Sequence, residues 1–240
     1  MSGLGIVARR RAIASSPTKS SKIVFQDPEV LNVLLSHGVG SNGVITYEDA
    51  EAVTSISTWF MRNKVITKFP ELVHFTKVKS LDAYAMQECH ALTTVDLTNM
   101  ESLGAYAFND CRVLTGDVSL PKLTGVLGTQ VFYSTRITSI YAPLATDIQT
   151  NSLSGNNKLA KAEFGSTLKS IDSYAFNNDS SLKVLIIRSQ TPPSLSSTAL
   201  NGTNSGLVIY VPDSAVDAYK SASGWSSFSA KIKGISQYNG

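Results

Sequence analysis

Small, aromatic and apolar residues recur along this chain in a fixed order. The segment "AYAMQEC" (83–89) returns as "AYAFNDC" (105–111) and, more loosely, as "SYAFNND" (173–179). The apolar residue closing each step stands at Met86, Phe108, Phe132, Leu153, Phe176 and Leu200, at intervals of 22, 24, 21, 23 and 24 residues. Self-similarity at a period of 20 to 50 residues is the signature of a repeat architecture. A second pattern, apolar-x-x-apolar-x-apolar, follows the steps. It holds at Leu92, Val95 and Leu97, at Ile137, Ile140 and Ala142, at Leu159, Ala162 and Phe164, and at Leu182, Leu185 and Ile187. Alternation over its last three positions predicts a short strand with one buried face. Each unit therefore reads as a turn or half-helix carrying the aromatic step, followed by a strand. One unit cannot cover its own apolar face, but stacked units share a continuous core.

The pattern also assigns roles within a rung. Ala83, Ala85 and their equivalents are small so that neighbouring rungs approach closely, while Met86 and Phe108 fill the interior. Tyr84 and Tyr106 add bulk and send a hydroxyl to the edge of the stack. Cys89 and Cys111 occupy equivalent positions of successive rungs, so their backbones lie about one strand spacing apart, roughly 5 Å. That separation is compatible with a disulfide. Free cysteine is also a well-buried small apolar residue. Two packed thiols are the first expectation, with a bridge, or metal or redox chemistry, as alternatives.

An open stack needs caps. At the C-terminus, Leu207 to Val211 reads as a strand ended by Pro212; Asp213 then starts a short helix through Tyr219, and Trp225, Phe228 and Ile232 cover the last rung. At the N-terminus, "IVFQDPEVLNVLLSHGVGSNGVITYEDAEAVTSIS" reads as helix, loop and helix, similar to half of an EF-hand. Its ligand positions are poor: Gly38, Gly40, Asn42, Thr46 and Asp49 stand where a working site needs several carboxylates. The expectation is a metal-free structural remnant. Four segments result: an arm at 1–22, a helical cap at 23–60, repeats at 61–206 and a C-terminal cap at 207–240.

Charge separates the arm from the rest. Residues 1–22 carry Arg9, Arg10, Arg11, Lys19 and Lys22 and no acid, whereas the other 218 residues hold 16 basic and 18 acidic side chains. A near-neutral body argues against nucleic acid as a partner, because such binding needs a basic face. The arm lacks the 7 to 15 residue apolar stretch of a secretion signal, and no apolar run reaches the ~18 residues that span a bilayer. Membrane insertion is therefore not expected.

Catalytic chemistry finds no foothold. His37, His74 and His90 are scattered and form no metal-ligand spacing with Cys or acids, and no phosphate loop, G-x-S-x-G or H-E-x-x-H motif is present. Asp172 with Asp179, and Asp110 with Asp117, read as turn acids. The chain is expected to be non-enzymatic, without cofactor or metal. What remains is a ribbon of outward strand positions: Thr94, Asp96, Ser139, Tyr141, Lys161, Glu163 and Arg188. Tyr141 and Arg188 are residue types that anchor interfaces. The ribbon reads either as a recognition surface or as an ordinary solvated face.

"LDAYAMQECHALTTVDL", "LGAYAFNDCRVL" and "IDSYAFNNDSSLKVLII" resemble the BspA-like (Treponema pallidum type) leucine-rich repeats, of the kind found in Bacteroides-type bacteria and their phages. The resemblance covers about residues 66–211. The asparagine of the better-known horseshoe repeats is replaced by Met100 and Gln190. The fold it implies is an α/β leucine-rich-repeat solenoid of about six 21–24 residue rungs, with a small helical N-terminal cap and a strand-helix C-terminal cap. The function it implies is a structural or binding protein. One placement is a phage virion component, in the tail, fibre or head decoration, docked on other virion proteins by Arg9, Arg10 and Arg11. The repeats would then face a host surface protein or glycan, with homo-oligomerisation open. The alternative is a bacterial cell-surface or secreted adhesin, and an intracellular scaffold is the third.

Overall fold

The computed structural model describes residue 18 and residues 20–240. Arg9, Arg10 and Arg11 lie outside the described residues, as do the rest of 1–17 and Lys19.

Two helices, α1 (Pro28–Ser36) and α2 (Tyr47–Ala52), form the N-terminal cap. Asp27 caps α1 by accepting the Glu29 amide at 2.9 Å, and its other oxygen accepts the Thr67 hydroxyl at 2.7 Å. One carboxylate thus ties the cap to the first rung. Burial alone would raise its pKa, but the hydrogen bonds from Thr67, Glu29 and Lys68 outweigh burial and leave it below the usual aspartate value. Asp49, at the twelfth place of the EF-hand-like loop, closes a capping box on α2: it accepts the Thr46 amide (2.8 Å) and hydroxyl (2.7 Å). Its oxygens face a helix start rather than the loop centre. Among the described residues, no group of three or more His, Cys, Asp and Glu is placed to hold a metal ion.

Two six-stranded parallel sheets follow. The first contains β2 (Ser80–Leu81), β4 (Ser102–Leu103), β6 (Gly125–Leu127), β8 (Ala145–Ile148), β10 (Ser170–Ile171) and β12 (Ser194–Leu195), in that spatial order. The second contains β5 (Thr115–Ser119), β7 (Arg136–Ala142), β9 (Lys161–Phe164), β11 (Val184–Ile187), β13 (Val208–Val211) and β14 (Ile232–Gly234). A separate pair, β1 (Lys68–Phe69) with β3 (Thr94–Val95), precedes β5 and is linked to it by one bond from the Thr115 amide to the Thr93 carbonyl, 3.0 Å. Most rungs thus supply a strand to each sheet, where the sequence pattern had disclosed only one. The second strand is a bare "SL" or "SI" in four rungs, too short to show alternation. Its inward residues nevertheless form a column of their own: Leu81, Leu103, Leu127, Ile148 and Ile171 are buried.

The aromatic step is not helical. It is a third ladder. The amides of Tyr84, Met86 and Glu88 donate to the carbonyls of Ala105, Ala107 and Asn109 on the next rung, at 3.0, 2.8 and 2.8 Å. The intervening amides of Ala85, Gln87 and Cys89 bond back three residues within their own rung. Tyr106, Phe108 and Asp110 repeat the arrangement onto Thr129, Val131 and Tyr133. Pointing alternate amides at the neighbour requires left-handed backbone at the first and fifth residues, with φ 65° and 56° at Tyr84 and Glu88, 62° and 60° at Tyr106 and Asp110, and 59° and 62° at Tyr174 and Asn178. Such φ values are unusual for bulky residues; the row of inter-rung bonds offsets them.

This backbone swings Tyr84 outward, so its ring stacks on Tyr106 at the surface, 5.0 Å apart and 11° from parallel. Ala83 is exposed as well. The close approach assigned to both alanines belongs to Ala85 and its equivalents Ala107, Ala175 and Ala199, all fully buried. Rungs also meet at Gly104, where a Cβ would stand 2.4 Å from the Ala83 nitrogen. Inside, Met86, Phe108, Phe132, Leu153, Phe176 and Leu200 form the expected column, with Phe108 and Phe132 stacked at 5.3 Å.

The cysteines are free and buried. Each thiol donates to a carbonyl of the preceding rung, Cys89 to Phe60 and Cys111 to Met86, both at 3.0 Å. The adjacent Cys89 thiol, together with burial, pushes the Cys111 thiol well above its usual pKa. Further along the same column Asn156 donates its amide to the Phe132 carbonyl at 2.8 Å. Asp179 comes next. It is fully buried, not an exposed turn acid: one oxygen accepts the Asn156 backbone amide at 2.8 Å and, among the described residues, the other has no partner. Burial raises its pKa well above the ordinary carboxylate range.

The stack ends on α3 (Val216–Ser221) and β14. Trp225 and Tyr219 are buried edge to face, with the indole donating to the Pro193 carbonyl (2.6 Å) and the phenol to the Ser189 carbonyl (3.0 Å). Ile232 is buried beside them and Phe228 half-buried.

Candidate binding face

The ribbon residues lie on the outer face of the second sheet. Register aligns Ser119, Tyr141, Glu163, Ile186 and Tyr210 in one row, and Asp117, Ser139, Lys161, Val184 and Val208 in another. Thr94 and Asp96 belong to β3 and the residue just after it, while Arg188 follows β11. The structure divides these residues into two groups.

Lys161, Glu163 and Arg188 are joined to one another. Glu163 accepts Arg188 through two nitrogens at 3.0 and 2.7 Å and stands 3.2 Å from the Lys161 ammonium. Its side chain is only 13% exposed. Burial would raise its pKa, but the Arg188 and Lys161 bonds outweigh burial and hold it below the usual glutamate value. The C-terminal segment folds over this group: the Tyr238 ring packs against Tyr210 at 5.1 Å, and Lys161 sits 5.1 Å above the same ring. Ile186 alternates outward between Leu185 and Ile187 and yet is fully buried, which this cover accounts for.

Thr94, Asp96, Ser139 and Tyr141 lie on the uncovered part. Thr94 and Asp96 line a groove of about 230 Å³ with Pro70, Val95, Asp117 and Val118. The groove sits where β3 and β5 fail to pair as strands and where the β5 register shifts between Gly116 and Asp117. Apolar side chains form much of its lining and two carboxylates stand beside them. Asp117 accepts the hydroxyls of Ser139 (2.6 Å) and Thr138 (2.9 Å), which hold its pKa below the usual value. Asp96 accepts the Thr98 amide (2.9 Å) and hydroxyl (2.6 Å). Both are therefore fixed acceptors rather than mobile charges. Tyr141, opposite Ser119 in register, is 41% exposed.

Asp117, Val118 and Pro70 were missed as members of this face. The signal for Asp117 was in the sequence: "TGDV" places a glycine before an acid inside a strand, the mark of a bulge that re-aims a side chain. No cysteine or histidine is among the residues lining the groove. Its polar lining consists of two fixed carboxylates and the hydroxyls of Thr94, Thr98 and Ser119. Among the described residues, no helix is long and apolar enough to cross a membrane.

Comparison with known proteins bears on the repeats. A search of the curated proteins finds no match. Among solved structures, a leucine-rich repeat protein from Bacteroides ovatus ATCC 8483 aligns at 14% identity with a TM-score of 0.34, over 65% of this chain and 58% of that one. A family model, the BspA type leucine rich repeat region, matches residues 51–159 and 79–206 in six copies. With its period, its paired sheets and that match over more than half its length, the chain belongs to the BspA type leucine-rich repeat family.

Proposed function

We propose that this protein is a non-enzymatic binding protein whose recognition surface is the uncovered part of the second sheet. Thr94 and Asp96 lie in the groove, Ser139 orients Asp117 at its rim, and Tyr141 is the aromatic anchor. Lys161, Glu163 and Arg188 form the rigid border of that surface. The observation carrying this reading is the groove itself: apolar lining, two fixed carboxylate acceptors and an exposed tyrosine one strand away. Aromatic anchors beside well-packed pockets carry most of the energy at protein interfaces.

The finer placement rests on the arm. Five cations without an acid in residues 1–22, against a body of net charge −2, support an assembly device that docks into a phage particle while the repeats project outward. A cell-surface adhesin is the alternative, and family membership supports it. Mass spectrometry of purified particles and of cell-surface fractions from the source separates the two. Stoichiometric recovery in particles, lost on deleting residues 1–22 with thermal stability unchanged, is the expected result. Recovery on cell surfaces, with host binding retained by the truncated chain, would overturn the virion placement. Loss of host binding in Tyr141→Ala and Asp96→Asn tests the recognition surface in either setting.

A further inference from the structure

Where the turn rows lead into the second sheet, at the start of β7, two columns of side chains run along the edge of the stack. One column contains Arg62, Glu88, Asp110, Ser134 and Gly155, each in the left-handed conformation. Two residues further along, a parallel column contains Lys64, His90, Arg112, Arg136 and Asn157. For three rungs the side chains answer one another. Arg62 pairs with Glu88 at 3.3 Å, His90 with Asp110 at 3.3 Å, and Arg112 grips Asp110 with two nitrogens at 2.8 and 2.7 Å. The Arg112 fork first, against burial, leaves Asp110 below its usual pKa.

The columns then lose their acids before they lose their cations. Arg112 found a carboxylate two residues back in its own rung, and His90 found one in the next rung. For Arg136 those two places hold Ser134 and Gly155. Among the described residues, the exposed Arg136 guanidinium has no hydrogen-bond or ion-pair partner, and neither have the Ser134 hydroxyl and the Asn157 side-chain amide. These three groups, with Asp110, Arg112 and Thr135, surround a depression of about 360 Å³. That lies within the range of small-ligand sites. Asp110 is part of the wall, but Arg112 already neutralises it, so the depression keeps one net positive charge.

We infer that this depression binds the carboxylate of an acidic sugar, with Arg136 as the fork and with Ser134 and Asn157 meeting ring hydroxyls. A guanidinium matches a carboxylate through two parallel N–H···O bonds. An ionised aspartate or glutamate side chain has no hydrogen to offer the Ser134 oxygen or the Asn157 carbonyl, whereas a hydroxylated ring supplies donors as well as acceptors. The site is separate from the groove on the second sheet and does not depend on the function proposed for it.

The test is titration of the full chain with D-glucuronate, followed by backbone amide NMR. The saturable shifts should centre on 134–136 and 155–157. Arg136→Gln should weaken binding about tenfold, the worth of one charged hydrogen-bonded contact. Ser134→Asp should close the site by giving Arg136 the internal partner that Asp110 gives Arg112. It should also fold, because Asp110 already occupies the same backbone conformation, φ 60° against 55° at Ser134. Unchanged melting temperatures identify both effects as local. Retained binding in either variant would overturn the assignment, as would the absence of any saturable shift. N-acetylglutamate or acetate binding as tightly as glucuronate would overturn the sugar in favour of a bare carboxylate.

Discussion

The two halves of the second sheet's outer face are built on the same repeat and end in different states. Around β9 to β14 the outward residues satisfy one another: Glu163 joins Lys161 and Arg188, Tyr238 closes over Tyr210, and Ile186 is buried on what would otherwise be a solvent face. Around β3 to β7 no described residue folds back over the face, and a bulge at Gly116–Asp117 opens a groove beside an exposed tyrosine. The same strand register therefore yields a closed surface and an open one. What decides between them is the chain beyond the repeats, because the C-terminal segment returns to only one half. In a repeat protein, binding capacity is set as much by what covers a rung as by the rung's own sequence.

Four experiments break or sharpen this contrast. The largest effect belongs to Trp225→Ala, which removes a fully buried ring and its bond to Pro193; a loss of about 3–5 kcal/mol is expected from denaturant unfolding. Hydrogen exchange should rise first in β11 to β14, leaving the open half protected longer. Uniform exchange along the stack would show that the two halves are not separable. Next comes Asp179→Asn, which keeps an acceptor for Asn156 and removes a buried carboxylate. Because folding raises the pKa of Asp179, the native state loses stability as pH rises from the unfolded aspartate pKa, about 3.9. The substitution should therefore stabilise at pH 7 by about 1–3 kcal/mol, with the gain vanishing below about pH 4.

Glu163 has the opposite sign. Its folded pKa is depressed, so its contribution is complete above the unfolded glutamate pKa of about 4.3 and lost as pH falls through the lower folded value. Glu163→Gln should cost below about 1 kcal/mol at pH 7, since Arg188 and Lys161 are partly exposed and screened. It should also flatten the acid limb of stability measured by urea unfolding between pH 2 and 5. The smallest effect on folding is expected at Tyr141→Ala, within about 0.5 kcal/mol. Its partner binding should nevertheless fall at least tenfold by surface plasmon resonance, given the weight of tyrosine anchors.

Legibility in the sequence followed the length of each signal. The core column from Met86 to Leu200 was readable because six apolar residues recur at nearly constant spacing. The four-to-seven-residue strands β7, β9 and β11 showed their alternation. The "SL" strands did not, since two residues have no period. The aromatic step was misread in part, because left-handed backbone at Tyr84 and Tyr174 runs against what those side chains prefer; only the inter-rung ladder imposes it. On the candidate face, outward direction was readable from parity. Cover was not, since the return of Tyr238 onto Tyr210 depends on tertiary packing across 28 residues. Asp179 was misplaced for a different reason: the repeat aligns it with Cys89 and Cys111, but a carboxylate in a polar run reads as a turn acid.

The three hydrogen-bond ladders have a mechanical consequence. Their bonds run along the stack, so a pull between the first and last rungs loads the rung interfaces in series: each carries the same force, and the weakest gives first. Such a protein behaves as a zipper under tension. It would yield in steps of 21–24 residues, each releasing roughly 70–85 Å of chain. The first step should fall between β3 and β5, where a single Thr115–Thr93 bond stands in for a paired strand. A tether that lengthens by fixed increments keeps its remaining rungs folded while the load is shared out over time.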